Sequence, residues 1–189
     1  MSATRGETTM TTKTDGQLKR YKKYHAMYGC GDFAKRFSHP FLVVEKDQGP
    51  VQENHHGYET VCVPPDQLAR ILQESLLRAA SSSVIRLVKK GTDVFSGMVN
   101  VGRTANCDVV LDSPLVSKFH AYFAKDPKAG AYCLIDASST NGTYINDGKM
   151  KPKERKVLSD GDRISFGRQV TFSYYTPEGF YDLLAQIPD

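Results

Sequence analysis

The chain has 189 residues, of which 40% are hydrophobic and 24% charged, the composition of an ordinary soluble globular protein with room for one domain plus an extension, or for two small domains. A net charge of +4 is too mild to point to a nucleic-acid binder by itself. No apolar run approaches the roughly 18 residues of a membrane helix, and the N-terminal residues Met1 to Glu7 lack the apolar core of a secretion signal. A cytoplasmic protein with no membrane association is the expectation.

Residues 1–16 are poor in apolar side chains and rich in threonine (Thr4, Thr8, Thr9, Thr11, Thr12, Thr14). Such a composition cannot bury enough surface to offset its ordering entropy, which predicts a disordered tail. Residues 17–83 read as an N-terminal extension of mixed α/β character. It opens on a basic, aromatic stretch, Lys19-Arg20-Tyr21-Lys22-Lys23-Tyr24-His25, followed by Tyr28, Lys35 and Arg36. Lysines interleaved with aromatics suit either the wet face of a helix or a surface for nucleic acid or an acidic protein. The run Phe41-Leu42-Val43-Val44-Glu45, bounded by Pro40 and by Asp47-Gln48-Gly49-Pro50, predicts a strand, as does Thr60-Val61-Cys62-Val63 before Pro64-Pro65. Leu68, Ile71, Leu72, Leu76 and Ala79 recur at helical spacing behind Asp66 and predict a helix from about 66 to 80. Ser81-Ser82-Ser83 reads as a linker.

From Val84 the pattern changes to many short apolar runs, punctuated by Lys90-Gly91, Ala129-Gly130, Asn141-Gly142, Asp147-Gly148 and Asp160-Gly161. Close, regular spacing of short strands predicts an all-β sandwich over 84–175. Residues 176–189 predict a C-terminal helix, with Thr176 at the N-cap, Pro177 in the first turn and Phe180, Leu183, Leu184 and Ile187 on one stripe.

Within the β-rich region five short motifs occur in order, each at a turn between predicted strands. They are Gly102-Arg103; Ser117-Lys118-Phe119-His120; Thr140-Asn141-Gly142-Thr143; Asn146; and Asp160-Gly161-Asp162 ahead of Phe166-Gly167. Singly each is weak; together they are specific. The stretch from about 84 to 175 resembles the forkhead-associated (FHA) domain family, whose pattern it follows through Asp108-Val109-Val110-Leu111 and Ser139-Thr140-Asn141-Gly142-Thr143. The resemblance implies a mainly β fold, a sandwich of about eleven short strands. It also implies binding of phosphothreonine-containing proteins, a Ser/Thr kinase or its substrate among them, with no chemistry performed and no cofactor or metal.

The residue types agree with that activity. A phosphothreonine carries nearly two negative charges and three strong acceptor oxygens. A guanidinium such as that of Arg103 grips it with two parallel charge-assisted bonds. Ser117 offers a compact hydroxyl, Lys118 a charge on a flexible stem, Thr140 a hydroxyl or backbone N–H, and Asn141 an amide suited to peptide main chain. The resemblance assigns Arg103, Ser117, Lys118 and Thr140 to the phosphate and Asn141 to the peptide backbone. Gly102, His120, Gly142 and Asn146 are expected to support the site without touching ligand. Lys118 departs from the family's usual arginine and is the poorer bidentate partner.

A hydrolase triad of Ser117, His120 and Asp112 finds no support, since Ser117 lacks the Gly-x-Ser-x-Gly elbow and His120 is taken up by the binding motif. The four cysteines, Cys30, Cys62, Cys107 and Cys133, are scattered without zinc-ligand spacing and read as free thiols. The competing class is a phospho-independent scaffold, or an adaptor that contacts nucleic acid through the basic segment. Gly6-Glu7-Thr8-Thr9 loosely resembles the acidic-threonine tails of small bacterial FHA regulators, which implies a switch in which a phosphorylated tail occupies its own site.

Overall fold

The computed structural model describes residues 16–44, 83–91, 97–126, 130–168 and 170–187. Residues 1–15, the Thr60–Val63 strand, the helix expected over 66–80 and the first two serines of the expected linker lie outside the described residues.

Two sheets face each other. The larger runs β1 (Gly16–Gln17), β3 (Ser83–Arg86), β2 (Phe41–Val44), β12 (Val170–Tyr175), β11 (Arg163–Phe166), β8 (Thr143–Ile145), β9 (Gly148–Lys149). The smaller runs β10 (Arg155–Val157), β7 (Tyr132–Asp136), β6 (Ala121–Lys125), β4 (Met98–Gly102), β5 (Val109–Val110), antiparallel except for the β4–β5 pair. Alternation along the strands builds the core between them: Val99, Val101, Ala121, Phe123 and Leu134 from one sheet meet Leu42, Ile85, Ile164, Phe166 and Phe172 from the other. The fold is therefore mainly β, a two-sheet sandwich.

Helices α1 (Leu18–Met27), α2 (Cys30–Arg36) and α3 (Pro177–Gln186) belong to a second cluster, which also takes in Phe41, Val43 and Val84 from the larger sheet. Here lies the reason Phe41-Leu42-Val43-Val44 is apolar without alternation. Leu42 points into the sandwich while Phe41 and Val43 join the helices, so both faces are covered. Phe41 stacks on Phe180 with ring centroids 4.0 Å apart, and Tyr21 meets both edge-on. The helix α3 begins as the sequence predicts: the Thr176 hydroxyl accepts from the Gly179 N–H at 3.1 Å, with Pro177 in the first turn. The Asp160 carboxylate in turn accepts from the Thr176 hydroxyl at 2.9 Å, which ties the helix to the β10–β11 turn.

The described part of the extension, residues 17–44 and Ser83, is thus joined to the sandwich by strand pairing. β2 is hydrogen-bonded on one edge to β12 and on the other to β3, and Gly16, assigned by sequence to the tail, pairs with Val84. The basic stretch forms α1 and α2. Its tyrosines pack into the fold. Tyr21 is buried, Tyr24 and Tyr28 pack against the helical cluster, and the Arg36 guanidinium sits 5.5 Å and 5.6 Å from their ring centroids. Cys30, Cys107 and Cys133 are free thiols. Among the described residues no helix is long and apolar enough to cross a membrane.

Candidate phosphopeptide-binding site

Antiparallel pairing sets the location of the site. Val101 at the end of β4 faces Ala121 at the start of β6, which faces Asp136 at the end of β7, so the loops leaving these strands emerge at one end of the sandwich. Thr143 opens β8 opposite Phe166, and brings the Thr140-Asn141-Gly142 turn to the same end. All five residues expected to touch ligand are gathered there: Arg103 after β4, Ser117 and Lys118 before β6, Thr140 and Asn141 before β8.

The loops are bonded to one another. The Thr140 N–H donates to Ser117 Oγ at 3.1 Å, and the two hydroxyls lie 3.4 Å apart. The Arg103 N–H donates to the Ser117 carbonyl at 3.1 Å. Asn141 Nδ2 donates to the Leu115 carbonyl at 2.8 Å, which orients the amide. Arg103, Lys118 and Thr140 are exposed, and neither the guanidinium nor the ammonium has an anionic partner among the described residues. Two exposed cations, two hydroxyls and a carboxamide are therefore carried by loops bonded to one another at one end of the sandwich, a set of groups suited to a dianionic oxyanion with an extended chain beside it.

His120 is fully buried behind this surface. Its Nδ1 accepts from the Ser117 N–H at 3.0 Å and its Nε2 lies 3.2 Å from the Gly142 carbonyl. Since an N–H must donate and a carbonyl accept, the ring is neutral with its proton on Nε2. Burial lowers its pKa below the ordinary value, against the opposing pull of the Gly142 carbonyl and the Asp136 charge. The ring accepts from the backbone of Ser117, and its other nitrogen is taken by Gly142, so the Ser117–His120 pair is not arranged as nucleophile and base.

Gly102 has no room for a side chain: a Cβ there would stand 2.2 Å from the Lys118 carbonyl oxygen and 2.9 Å from Cys107 Sγ. Gly142 holds φ at 84°, a conformation open to glycine. Asn146, at φ 49°, turns inward to its own framework: Nδ2 donates to Asp162 Oδ1 at 2.7 Å and Oδ1 accepts from the Arg163 N–H at 2.9 Å.

Several bracing residues escaped the reading of the sequence. Thr104 Oγ1 donates to the Lys118 carbonyl at 2.8 Å, with Cys107 Sγ 3.4 Å from the same oxygen. Asp136 accepts from the Ser139 N–H at 3.1 Å, the Ser139 hydroxyl at 2.5 Å and the Thr143 hydroxyl at 2.6 Å, which fastens the loop that carries Thr140. An aspartate closing an apolar run ahead of two serines is a turn signal that could have revealed it. Asp108 anchors the root of the Arg103 loop. Burial raises its pKa, but bonds from the Asn100 and Lys90 N–H groups and the Lys89 ammonium hold it below the usual carboxylate value.

Residues 99–167 match the family model for the FHA domain. This part of the chain is an FHA domain. Similar curated proteins include the Serine/threonine-protein kinase cds1 of Schizosaccharomyces pombe, 35% identical over 103 residues that make up 51% of this chain and 21% of that protein. The Oxoglutarate dehydrogenase inhibitor of Corynebacterium jeikeium is 35% identical over 46% of this chain and 60% of its own length. The Glycogen accumulation regulator GarA of Mycolicibacterium smegmatis is 32% identical over 47% and 56% respectively. The chain spans about a fifth of the length of the kinase and less than two thirds of either regulator. Among solved structures, the N-terminal FHA domain of Saccharomyces cerevisiae Rad53p in complex with a phosphothreonine peptide is similar at TM-score 0.45 and 18% identity, over 76% of this chain and 98% of that one. The FHA domain is a binding module, and the relatives that share it here range from a kinase to small regulators.

Proposed function

We propose that this chain is a phosphothreonine-dependent protein-binding module acting in Ser/Thr kinase signalling, and that it performs no chemistry of its own. One observation carries the reading: Arg103 and Lys118, exposed and without an anionic partner among the described residues, stand on the loops that are bonded around a Ser117–Thr140 hydroxyl pair backed by a neutral, buried histidine. Arg103, Ser117, Lys118 and Thr140 take the phosphate. Asn141, its Nδ2 already spent on Leu115, offers Oδ1 to an N–H of the bound main chain. Gly102, His120, Gly142 and Asn146 keep the loops in place. The partner is a phosphothreonine-containing protein, a kinase or its substrate, met in the cytoplasm.

Calorimetric titration with an oriented phosphothreonine peptide library tests this, with the wild type, Arg103→Ala and unphosphorylated peptides side by side. Phosphate-dependent binding that falls by at least about tenfold in Arg103→Ala is expected, from the loss of a bidentate charge-assisted pair. Equal binding of phosphorylated and unphosphorylated peptides would refute the reading.

A further inference from the structure

Beside the phosphate site, on the outer face of the smaller sheet, opens a cavity of about 580 Å³. Met98 and Tyr122 form part of its floor, Phe119 a wall, and Thr104, Cys107 and Lys118 the margin nearest the phosphate loops. The floor continues an apolar patch: Met98 and Tyr122 pack against buried Ala124, Cys133 and Ile135, side chains that alternate outward from the sandwich core. Phe119 is 46% exposed, yet its ring lies parallel to that of Tyr122, 6° apart in plane with centroids at 6.1 Å. An aromatic side chain held half in water at the mouth of an apolar hollow leaves surface for a ligand to cover.

We propose that this cavity takes a large apolar side chain, aromatic or aliphatic, from the same phosphorylated partner, at a position N-terminal to its phosphothreonine. The inference rests on the phosphothreonine reading above. Continuity assigns the occupant: Thr104 follows Arg103 in the chain, and Lys118, next to Ser117, belongs to both the cavity margin and the phosphate site. The direction is set by placing the residues after the phosphothreonine on the Asn141 side of Ser117. The Asn141 amide is bonded to the Leu115 carbonyl on one side of Ser117, whereas Thr104 and Cys107 meet the Lys118 carbonyl on the other. An extended peptide with its phosphate at Ser117 and its following residues against Asn141 runs its preceding residues past Lys118 into the cavity. Because Lys118 borders both sites, the occupant is sought among the four positions before the phosphothreonine. The Thr104 bond to the Lys118 carbonyl ties the shared margin of the two sites together.

The test uses the full chain and phosphothreonine peptides that are identical except at the four positions before the phosphothreonine. Each position carries alanine, leucine or tryptophan in turn, titrated by fluorescence anisotropy against the wild type, Phe119→Ala and Phe119→Tyr. At one of the four positions leucine or tryptophan should raise affinity about tenfold over alanine, the gain expected for an apolar side chain taken largely out of water. That gain should vanish in Phe119→Ala and persist in Phe119→Tyr, with dependence on the phosphate the same in all three proteins. Phosphate-dependent binding with no gain at any position, or an equal gain in Phe119→Ala, would overturn the cavity proposal and leave the phosphothreonine reading intact. Loss of phosphate dependence in the wild type would sink the phosphothreonine reading, and this proposal with it.

Discussion

Lowering the pH should loosen this protein through one residue. The buried His120 ring accepts from the Ser117 N–H at 3.0 Å, and a proton added to Nδ1 would set two donors against each other while placing a charge away from water. Its folded pKa therefore lies below the ordinary 6.5 of an exposed histidine, with burial the leading cause. Below pH 6.5 the unfolded chain binds a proton at this position that the folded chain refuses, so stability rises with pH in that window and is level above it. The slope is at most about 1.4 kcal/mol per pH unit, and it ends where the pH reaches the folded pKa. Between pH 7.5 and 5.5 the loss assigned to His120 is then at most about 1.4 kcal/mol, because only the last unit falls below 6.5. Urea unfolding of the wild type and His120→Gln at pH 7.5, 6.5 and 5.5 measures it. The variant should be less stable at pH 7.5, for want of the two ring bonds, but should lose less on acidification. Other histidines cancel in the difference. Unfolding is the better readout than peptide affinity, because the phosphate itself titrates near pH 6 and would confuse the comparison. Equal pH dependence in the two proteins would refute the assignment of a neutral, pH-limiting ring.

Two further perturbations test the framework. Gly102→Ala places a Cβ 2.2 Å from the Lys118 carbonyl oxygen, which must move and so loses its contacts to Thr104 and Cys107. A stability loss of about 1–3 kcal/mol and a phosphopeptide affinity lowered at least about tenfold are expected, by urea unfolding and calorimetry; unchanged affinity would mean that the Lys118 loop is not held from below. A fragment of residues 84–189 lacks β2, parts two strands that it bridges, and uncovers Phe180, Leu184 and Ile187. It should bind a hydrophobic dye and unfold without a sharp transition, and a melting curve as cooperative as that of the full chain would show that the extension is dispensable.

What the sequence made legible is what depends on local chemistry. Turn glycines marked the loops, and the Thr176-Pro177 start of the last helix is stated by the residues that form it. The turn motifs also pointed to the loops of Arg103, Ser117, Lys118, Thr140 and Asn141, which the strand pairing brings to one end of the sandwich. Less visible was the tier beneath. Thr104 and Cys107 act through a backbone carbonyl of a distant loop, and an ordinary threonine and cysteine carry no mark of that partner. Asp136 is intermediate, a turn former whose third bond, to the Thr143 hydroxyl, appears only when β7 and β8 are brought together.

The extension was the hardest part, for a physical reason. A strand apolar on both faces, such as Phe41-Leu42-Val43-Val44, announces burial but carries no alternation to say which side faces which core, and so no register. Its pairing with β12 and β3 is a long-range choice made by packing, with Leu42 filling the sandwich while Phe41 meets Phe180. The helices α1 and α2 are similarly masked, because charge crowds their outer faces and only Leu18, Tyr21 and Phe33 are buried. Those few side chains nonetheless help cover the outer face of β2, β3 and the end of β12, through Phe41, Val43, Val84 and Tyr175. Binding loops are useful only when the strands that carry them do not shift. The basic, tyrosine-bearing segment packs on that outer face and adds burial beside the β2–β12 pairing. Its exposed charges keep that added layer in water.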